Sequence, residues 1–441
     1  MRIPERTPLI PNGFEYGKVL EELIVLGRFM EFMEIGDQKY YYYDKWKYRA
    51  QEWGIDPHKL WGAVKVNRKI SNNTLTISSV TGFTFSVGSP SFVQKYLHEF
   101  DLNLGGSLQG DAIIPSEDRD RYLISSLMEE AIASSQLEGA ATTRRVAKEM
   151  LENNRRPKNA SEQMILNNYE AMKWIVSNKD TPITIETIKQ LHSILTKSTL
   201  SEAEEEGTFR KDDDVKVVDV QTGRPVYTPP KASDLDQLMK EFCDFTNDHM
   251  KLRFFLHPIT KGIILHFLIG YIHPFVDGNG RTARTIFYWY LLKHGYWLIE
   301  FMSVSRIILN SKAQYSRAYL YTEQDDNDLT YFVNYNLRCT YLALEDLKRY
   351  IRRKSAEKQN AMTMLRNTRF NDRQIILLQE VIQDSTIYFN VRQVQNRFGI
   401  SNQTARNDLN GLVNEGVFEE RRSGNKSQYL PIKGFLKKIT G

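Results

Sequence analysis

Apolar residues recur at intervals of three and four through "DRYLISSLMEEAIASSQLEG" (120–139), "SEQMILNNYEAMKWIVSN" (161–178) and "TIETIKQLHSILTKS" (184–198). That is the period of helices burying one face, and it predicts a helical bundle over about 115–355. The period breaks once. In "DVKVVDVQTGRPVYTPP" (214–230) short β-branched runs flank a Thr-Gly turn, which predicts a hairpin projecting from the bundle. The stretch "GIILHFLIGYIHPF" (262–275) is apolar on all sides, but it contains histidines and is shorter than the roughly 20 residues a membrane span needs, so a buried helix is expected.

Flanking this bundle are two regions of different pattern. Residues 1–110 are rich in aromatics, with "KYYYYDKW" followed by "NTLTISSVTGFTFSVG", whose Thr/Val/Phe alternation predicts a small strand or two. The tyrosine run is expected to pack rather than to stack on bases. "LNLGGSLQGD" (102–111) reads as a connector. Residues 372–441 run helix, helix, then "SNQTARNDLNGLVNEG" with Ser401 or Asn402 as cap, then two strand candidates about a Gly turn, the order of a winged helix-turn-helix. The fold class expected is therefore mainly α, with an accessory region at 1–110, the bundle at 111–355 and the winged unit at 372–441.

Composition narrows the picture only slightly. The 441 residues are 41% hydrophobic and 26% charged, as in ordinary globular protein, and the net charge of +5 is a weak argument for an anionic partner. Cys243 and Cys339 lie far apart, which argues against a disulfide framework or structural zinc. Prolines and acids in "MRIPERTPLIPNGFEYG" differ from an export signal, so a cytoplasmic protein without a membrane partner is expected.

The chemistry concentrates in "HPFVDGNGRTAR" (273–284). A helix delivers His273, and "RTARTIFYWYLLKHG" begins another. Gly278 and Gly280 strip side chains from the junction, so the first-turn N–H groups can face an anion. Arg281 and Arg284 share a face of that turn, where the helix dipole disfavours each cation by about 0.3–1 kcal/mol. A bound polyanion reverses that penalty. Asp277 is a hard oxygen ligand suited to Mg²⁺ bridging phosphates, or simply a helix cap, and His273 has the pKa range to accept a proton from a hydroxyl.

This segment matches the Fic family signature HxFx(D/E)GNGRxxR at every defined position, and "GTFR" (207–210) and the hairpin with "VYTPP" also resemble Fic features. The resemblance covers about 115–355. It implies transfer of AMP from ATP to a Ser, Thr or Tyr hydroxyl of a protein, itself included, with His273 as base and Phe275 packed beneath the loop. It further implies Asp277 on Mg²⁺, Gly278, Asn279, Gly280, Arg281 and Arg284 on phosphates, and Asn310 in "ILNSKAQY" near the adenine. The hairpin would pair with the target backbone. Phosphate transfer of the Doc type fits less well, because Doc loops depart from the signature at the second glycine and Gly280 is present.

"SSQLEGA" (134–140) similarly resembles the family's inhibitory pattern (S/T)xxxE(G/N). Glu138 sits at the end of the helix spanning about 120–139, before Gly139 as C′ residue, where the dipole disfavours its charge. The resemblance implies that Glu138 pairs with Arg284, one turn from Ser134, and blocks the productive ATP pose. Some relatives also remove AMP, so the direction of reaction is open, and a homodimer is a candidate assembly. In the winged unit ten Lys or Arg face seven Asp or Glu. Arg406, Arg421, Arg422 and Lys426 are the candidate DNA contacts, with a protein partner as the alternative. A DNA-binding regulator whose Fic domain senses nucleotide is the competing reading.

Overall fold

The computed structural model describes residues 3–79, 84–105, 119–218, 225–365, 370–383, 387–423 and 426–435. The chain divides into two compact units, residues 1–109 with 123–344, and residues 110–122 with 345–441.

The N-terminal region is more helical than its composition suggests. Helices α1 (Tyr16–Val25), α2 (Phe29–Gln38), α3 (Tyr43–Trp53) and α4 (Pro57–Ser71) precede α5 (Ser91–Leu104). The expected strands reduce to Asn73–Thr74 (β1) paired antiparallel with Ser86–Val87 (β2). Tyr43, Trp46, Ala50 and Trp53 are buried along α3, so the aromatic run is a helix face packed in a core with Tyr42 and Trp61. That core also takes in Tyr331. Lys65 lies 2.6 Å from Asp325 and 2.7 Å from Asp326, and Tyr40 donates to Asp328 at 2.6 Å. Buried charges paired in this way are costly to separate, and they tie residues 1–109 to the bundle within one compact unit.

The bundle follows in chain order: α6 (Arg119–Leu137), α7 (Arg144–Glu152), α8 (Ala160–Ser177) and α9 (Ile185–Thr196). The hairpin strands β3 (Val217–Val218) and β4 (Pro225–Tyr227) come next, then α10 (Leu235–Thr246), α11 (Pro258–Ile272) and α12 (Asn279–Lys293). The unit closes with α13 (Val304–Leu309), α14 (Lys312–Gln324) and the start of α15 (Thr330–Leu365). Nearly every residue of α11 and α12 is buried, polar ones included, so these two helices are the centre of the bundle and the loop between them is held on a rigid base. Gly139, at φ 97°, and Gly295, at φ 84°, follow the ends of α6 and α12, and in each case the next residue's N–H reaches back to the helix: Ala140 to Ser135 O at 3.0 Å, Tyr296 to Leu291 O at 3.0 Å. These are Schellman closures. In the hairpin Val217 pairs with Tyr227, and the Thr-Gly turn lies outside the described residues. No helix among the described residues is long and apolar enough to cross a membrane.

In the second unit α16 (Asp372–Gln383), α17 (Val391–Phe398) and α18 (Asn402–Asn414) pack Leu377, Leu378, Val394, Leu409 and Leu412 against the hairpin of β5 (Phe418–Ser423) and β6 (Lys426–Pro431). Ser401 caps α18 by accepting from Thr404 N at 3.0 Å.

Candidate functional site

Helix α11 ends on His273, whose φ of 51° puts a non-glycine residue in the left-handed region. The imidazole Nδ1 is 3.1 Å from Gly270 O, a contact that fixes the proton on Nδ1 and leaves Nε2 as the acceptor. Burial lowers the pKa of His273, so the ring is neutral at physiological pH.

The following loop is closed by side chains. Asn279 accepts from Phe275 N at 3.0 Å and donates to Phe275 O at 2.8 Å. Its side-chain amide is thus spent on the loop, and its backbone N–H is the group left for an anion. Phe275 is fully buried and stacks on His192 of α9, ring centroids 3.6 Å apart and planes 4° apart. His192 Nε2 donates to Asp277 O at 2.8 Å, and its Nδ1 accepts from Gly207 N at 2.9 Å. Two acceptor and donor duties leave the ring neutral, and burial pushes its pKa down to about 4.

Gly278 precedes α12 at φ 83° with no side-chain cap on the helix, so the first-turn amides have no internal acceptor from that residue. A side chain at either glycine of the turn would have to displace a neighbour. A Cβ on Gly278 would lie 2.8 Å from Thr196 Cγ2, and one on Gly280 would collide with Glu138 Oε1 and sit 3.1 Å from Arg284 Nη1. The Glu138 carboxylate therefore occupies the approach to the helix N-terminus.

The two arginines are held differently. Arg284 donates through Nη2 to Glu138 Oε1 at 2.7 Å and to Ser134 O at 3.0 Å, and through Nε to Ser134 Oγ at 2.9 Å. Burial opposes its charge but Glu138 outweighs this, and the guanidinium pKa is raised. Arg281 directs its hydrogen bonds elsewhere than to α6. It donates to Leu195 O at 2.8 Å and to Asp277 Oδ2 at 3.2 Å, and among the described residues its buried Nε meets no acceptor. A buried orphan donor beside uncapped amides suits a phosphate oxygen. Asp277, with its side chain 59% exposed, is the carboxylate available to a cation. No group of three or more His, Cys, Asp or Glu that would hold a metal occurs among the described residues, so Mg²⁺ fits here only together with phosphate oxygens and water.

Arg210, the last residue of "GTFR", joins the loop to the hairpin. Its Nε donates to His273 O at 2.9 Å, its backbone N–H to Pro274 O at 2.9 Å, and its Nη1 to Asp212 O at 2.7 Å, while Nη2 donates to Pro230 O. Tyr227 of β4 adds a bond to Tyr271 O at 2.8 Å. Asn310 stands exposed at the C-cap of α13, and two residues on Lys312 donates to Gln136 O at 3.0 Å. Nothing joins Asn310 itself to the loop.

In the winged unit Arg406, Arg421 and Arg422 are exposed. Arg421 is diverted to Glu419 at 2.5 Å, whereas Arg406 and Arg422 both act on the Tyr429 hydroxyl. The side chain of Lys426 lies outside the described residues.

Sequence reasoning missed His192 as a loop support, Arg210 as the link to the hairpin and Glu130 on α6. The first offered only a lone histidine on an apolar helix face, 85 residues from its partner Asp277.

Comparison with known proteins agrees with this geometry. Residues 182–291 match the Fic/DOC family, and residues 373–428 match the DeoR-like helix-turn-helix domain. The protein adenylyltransferase Fic of Drosophila willistoni is 31% identical over 180 residues, 40% of this chain and 32% of that protein. Its counterpart in Nematostella vectensis is 30% identical over 176 residues, 39% of this chain and 36% of that protein. The chain thus spans about a third of the length of these curated relatives. A Fic family protein from Desulfovibrio desulfuricans G20 superposes with a TM-score of 0.49 at 19% identity, over 78% of this chain and 96% of that one.

Proposed function

From the Fic domain and helix-turn-helix that this chain carries, we propose that it is an autoinhibited protein AMP-transferase. The observation that carries the reading is the meeting of three features at one loop: an acceptor nitrogen on His273, an uncapped helix N-terminus lined by Arg281 and Arg284, and Glu138 seated on Arg284. The substrate ATP lays its phosphates against the backbone of residues 278–281. His273 Nε2 takes the proton of a protein hydroxyl as that oxygen attacks the α-phosphorus, and pyrophosphate leaves. Asp277 is the residue that would hold Mg²⁺, which when bound neutralises charge on the phosphates. Catalysis here is positioning by rigid helices. The hairpin edge offers backbone groups to a target strand.

The test uses purified protein and Mg²⁺ with ATP labelled at either the α- or the γ-phosphate. Label is expected on protein from α-labelled ATP only, and His273→Ala is expected to abolish it while still binding ATP. Transfer from the γ position would assign the chain to phosphate transfer; transfer that survives His273→Ala would require another base. Incubation of AMP-modified protein with the enzyme in the absence of ATP reads the reverse reaction.

A second reading gives the winged unit the leading role, as a DNA-binding regulator with a nucleotide-sensing Fic domain. The match to a DeoR-like domain and the exposed Arg406 and Arg422 favour DNA as its partner. Binding to duplex DNA that weakens with salt, together with silence of both the wild type and Glu138→Gly in the labelling assay, would favour it.

A further inference from the structure

Helix α6 carries a third polar side chain in line with the brake. Glu130, Ser134 and Glu138 are spaced four apart and fall on one face. Ser134 and Glu138 meet Arg284 of α12. Glu130 meets Tyr288, one turn further along the same helix, at 2.8 Å. Its carboxylate also accepts from Ser303 Oγ at 3.0 Å, from Ser305 N at 3.0 Å and from Ser305 Oγ. Glu130 is 1% exposed, and burial raises its pKa despite these donors. A buried carboxylate is expensive to maintain without purpose, and no cation pairs with it at hydrogen-bond distance among the described residues.

What the arrangement does is fix register. The pairs 130–288 and 134/138–284 are two rungs between α6 and α12, and Glu130 adds the segment 303–305 as a third strut. Glu138 stands just past the last turn of α6, held by the Gly139 closure and by its pair with Arg284. Without the lower rung, sliding or rotation of α6 would take Glu138 off Arg284 even though every atom of the brake remained. We propose that Glu130 is the positioning residue of the inhibitory helix: it holds α6 in the register that seats Glu138 on Arg284, and it acts on the reaction only through that pair. The proposal rests on the autoinhibited reading above.

The hydrogen-bond inventory of the site dictates the variants. Glu130→Gln keeps the shape; its carbonyl accepts from Ser305 N and Tyr288, and its amide donates to the Ser305 hydroxyl, whose proton can turn away. Glu130→Ala removes four accepted bonds. Tyr288→Phe removes one of the four and keeps the ring, and it also takes away the hydroxyl that accepts from Val304 N at 2.8 Å and donates to Met302 O at 3.3 Å. In the labelling assay Glu130→Ala is expected to raise AMP transfer about fivefold or more and Tyr288→Phe by less, with Glu130→Gln close to wild type. In the Glu138→Gly background Glu130→Ala is expected to change nothing, because the brake it positions is gone.

The outcomes separate. If Glu138→Gly is active but Glu130→Ala and Tyr288→Phe both remain as slow as wild type, the positioning role is overturned while autoinhibition stands. If Glu130→Ala slows transfer in the Glu138→Gly background, the residue supports α12 generally and the proposal is likewise lost. If Glu138→Gly is itself silent, it is the autoinhibited reading that has failed. Should Glu130→Ala not fold, Tyr288→Phe in both backgrounds decides the question by the same comparison.

Discussion

Replacing Glu138 with glycine removes one charge-assisted hydrogen bond, 2.7 Å long, from a guanidinium that is 3% exposed. Such bonds contribute about 1.5–3 kcal/mol, and because the Glu138 side chain is 29% exposed the lower half of that range applies. Ser134 still holds Arg284 by its Oγ and its carbonyl, so the arginine is freed without being released from its aim. The carboxylate's repulsion of a triphosphate disappears in the same step. Converted to a rate, about 1.5–2 kcal/mol is roughly 10- to 30-fold faster AMP transfer. Purified wild type and Glu138→Gly, each with α-labelled ATP and Mg²⁺, are compared by the label appearing on the protein itself or on lysate proteins. Equal rates from two proteins that both bind ATP would refute the reasoning, because the pair would then hold nothing that the reaction needs.

Other consequences follow from the loop supports. Gly278→Ala is expected to destabilise the protein by about 1–2 kcal/mol in thermal melts, from a positive φ and contact with Thr196 Cγ2, and Thr196→Ser in the same chain should restore part of the loss. His192 has a folded pKa of about 4 against an ordinary value near 6.5, so the unfolded chain binds its proton first; the stability it confers is complete above pH 6.5 and falls away as pH drops toward 4, by about 3 kcal/mol in all. His192→Phe should therefore melt lower than wild type at pH 7.5 and differ from it much less at pH 4.5; a constant gap would count against the assignment. Arg210→Lys keeps the charge but not the fork that reaches His273 O and Pro230 O, and transfer to protein is expected to drop about tenfold or more while ATP binding is kept, as measured by calorimetry alongside the labelling assay.

What the chain disclosed in advance depended on distance along it. The loop is contiguous, so its glycines, acid and arginines could be read together from residues 273–284. Glu138 lies 146 residues from Arg284, and its short pattern, common by itself, pointed to that partner only through the loop's family resemblance. The part played by the Asn279 side chain was not legible, because only the fold reveals that both its polar atoms close the turn on Phe275. Glu130 and His192 gave no sign, since each is one polar residue among other polar residues of its helix, and its partners come from segments far along the chain. In the N-terminal region the packing of the tyrosine run was legible but its helix was not named: Tyr43, Trp46, Ala50 and Trp53 follow a helical step, and burial of large rings outweighed their intrinsic preference for strands.

Arg210 ties the backbone at His273 to both roots of the hairpin, so a single side chain sets the gap between the strand edge and the base. A peptide zipped along that edge advances about 3.3 Å per residue, with alternate side chains turned away. In the AMP-transfer reading proposed above, selection would then work like a ruler clamped to a drill: a target would be marked according to how many places its hydroxyl stands from the paired backbone, and very little by the letters on either side.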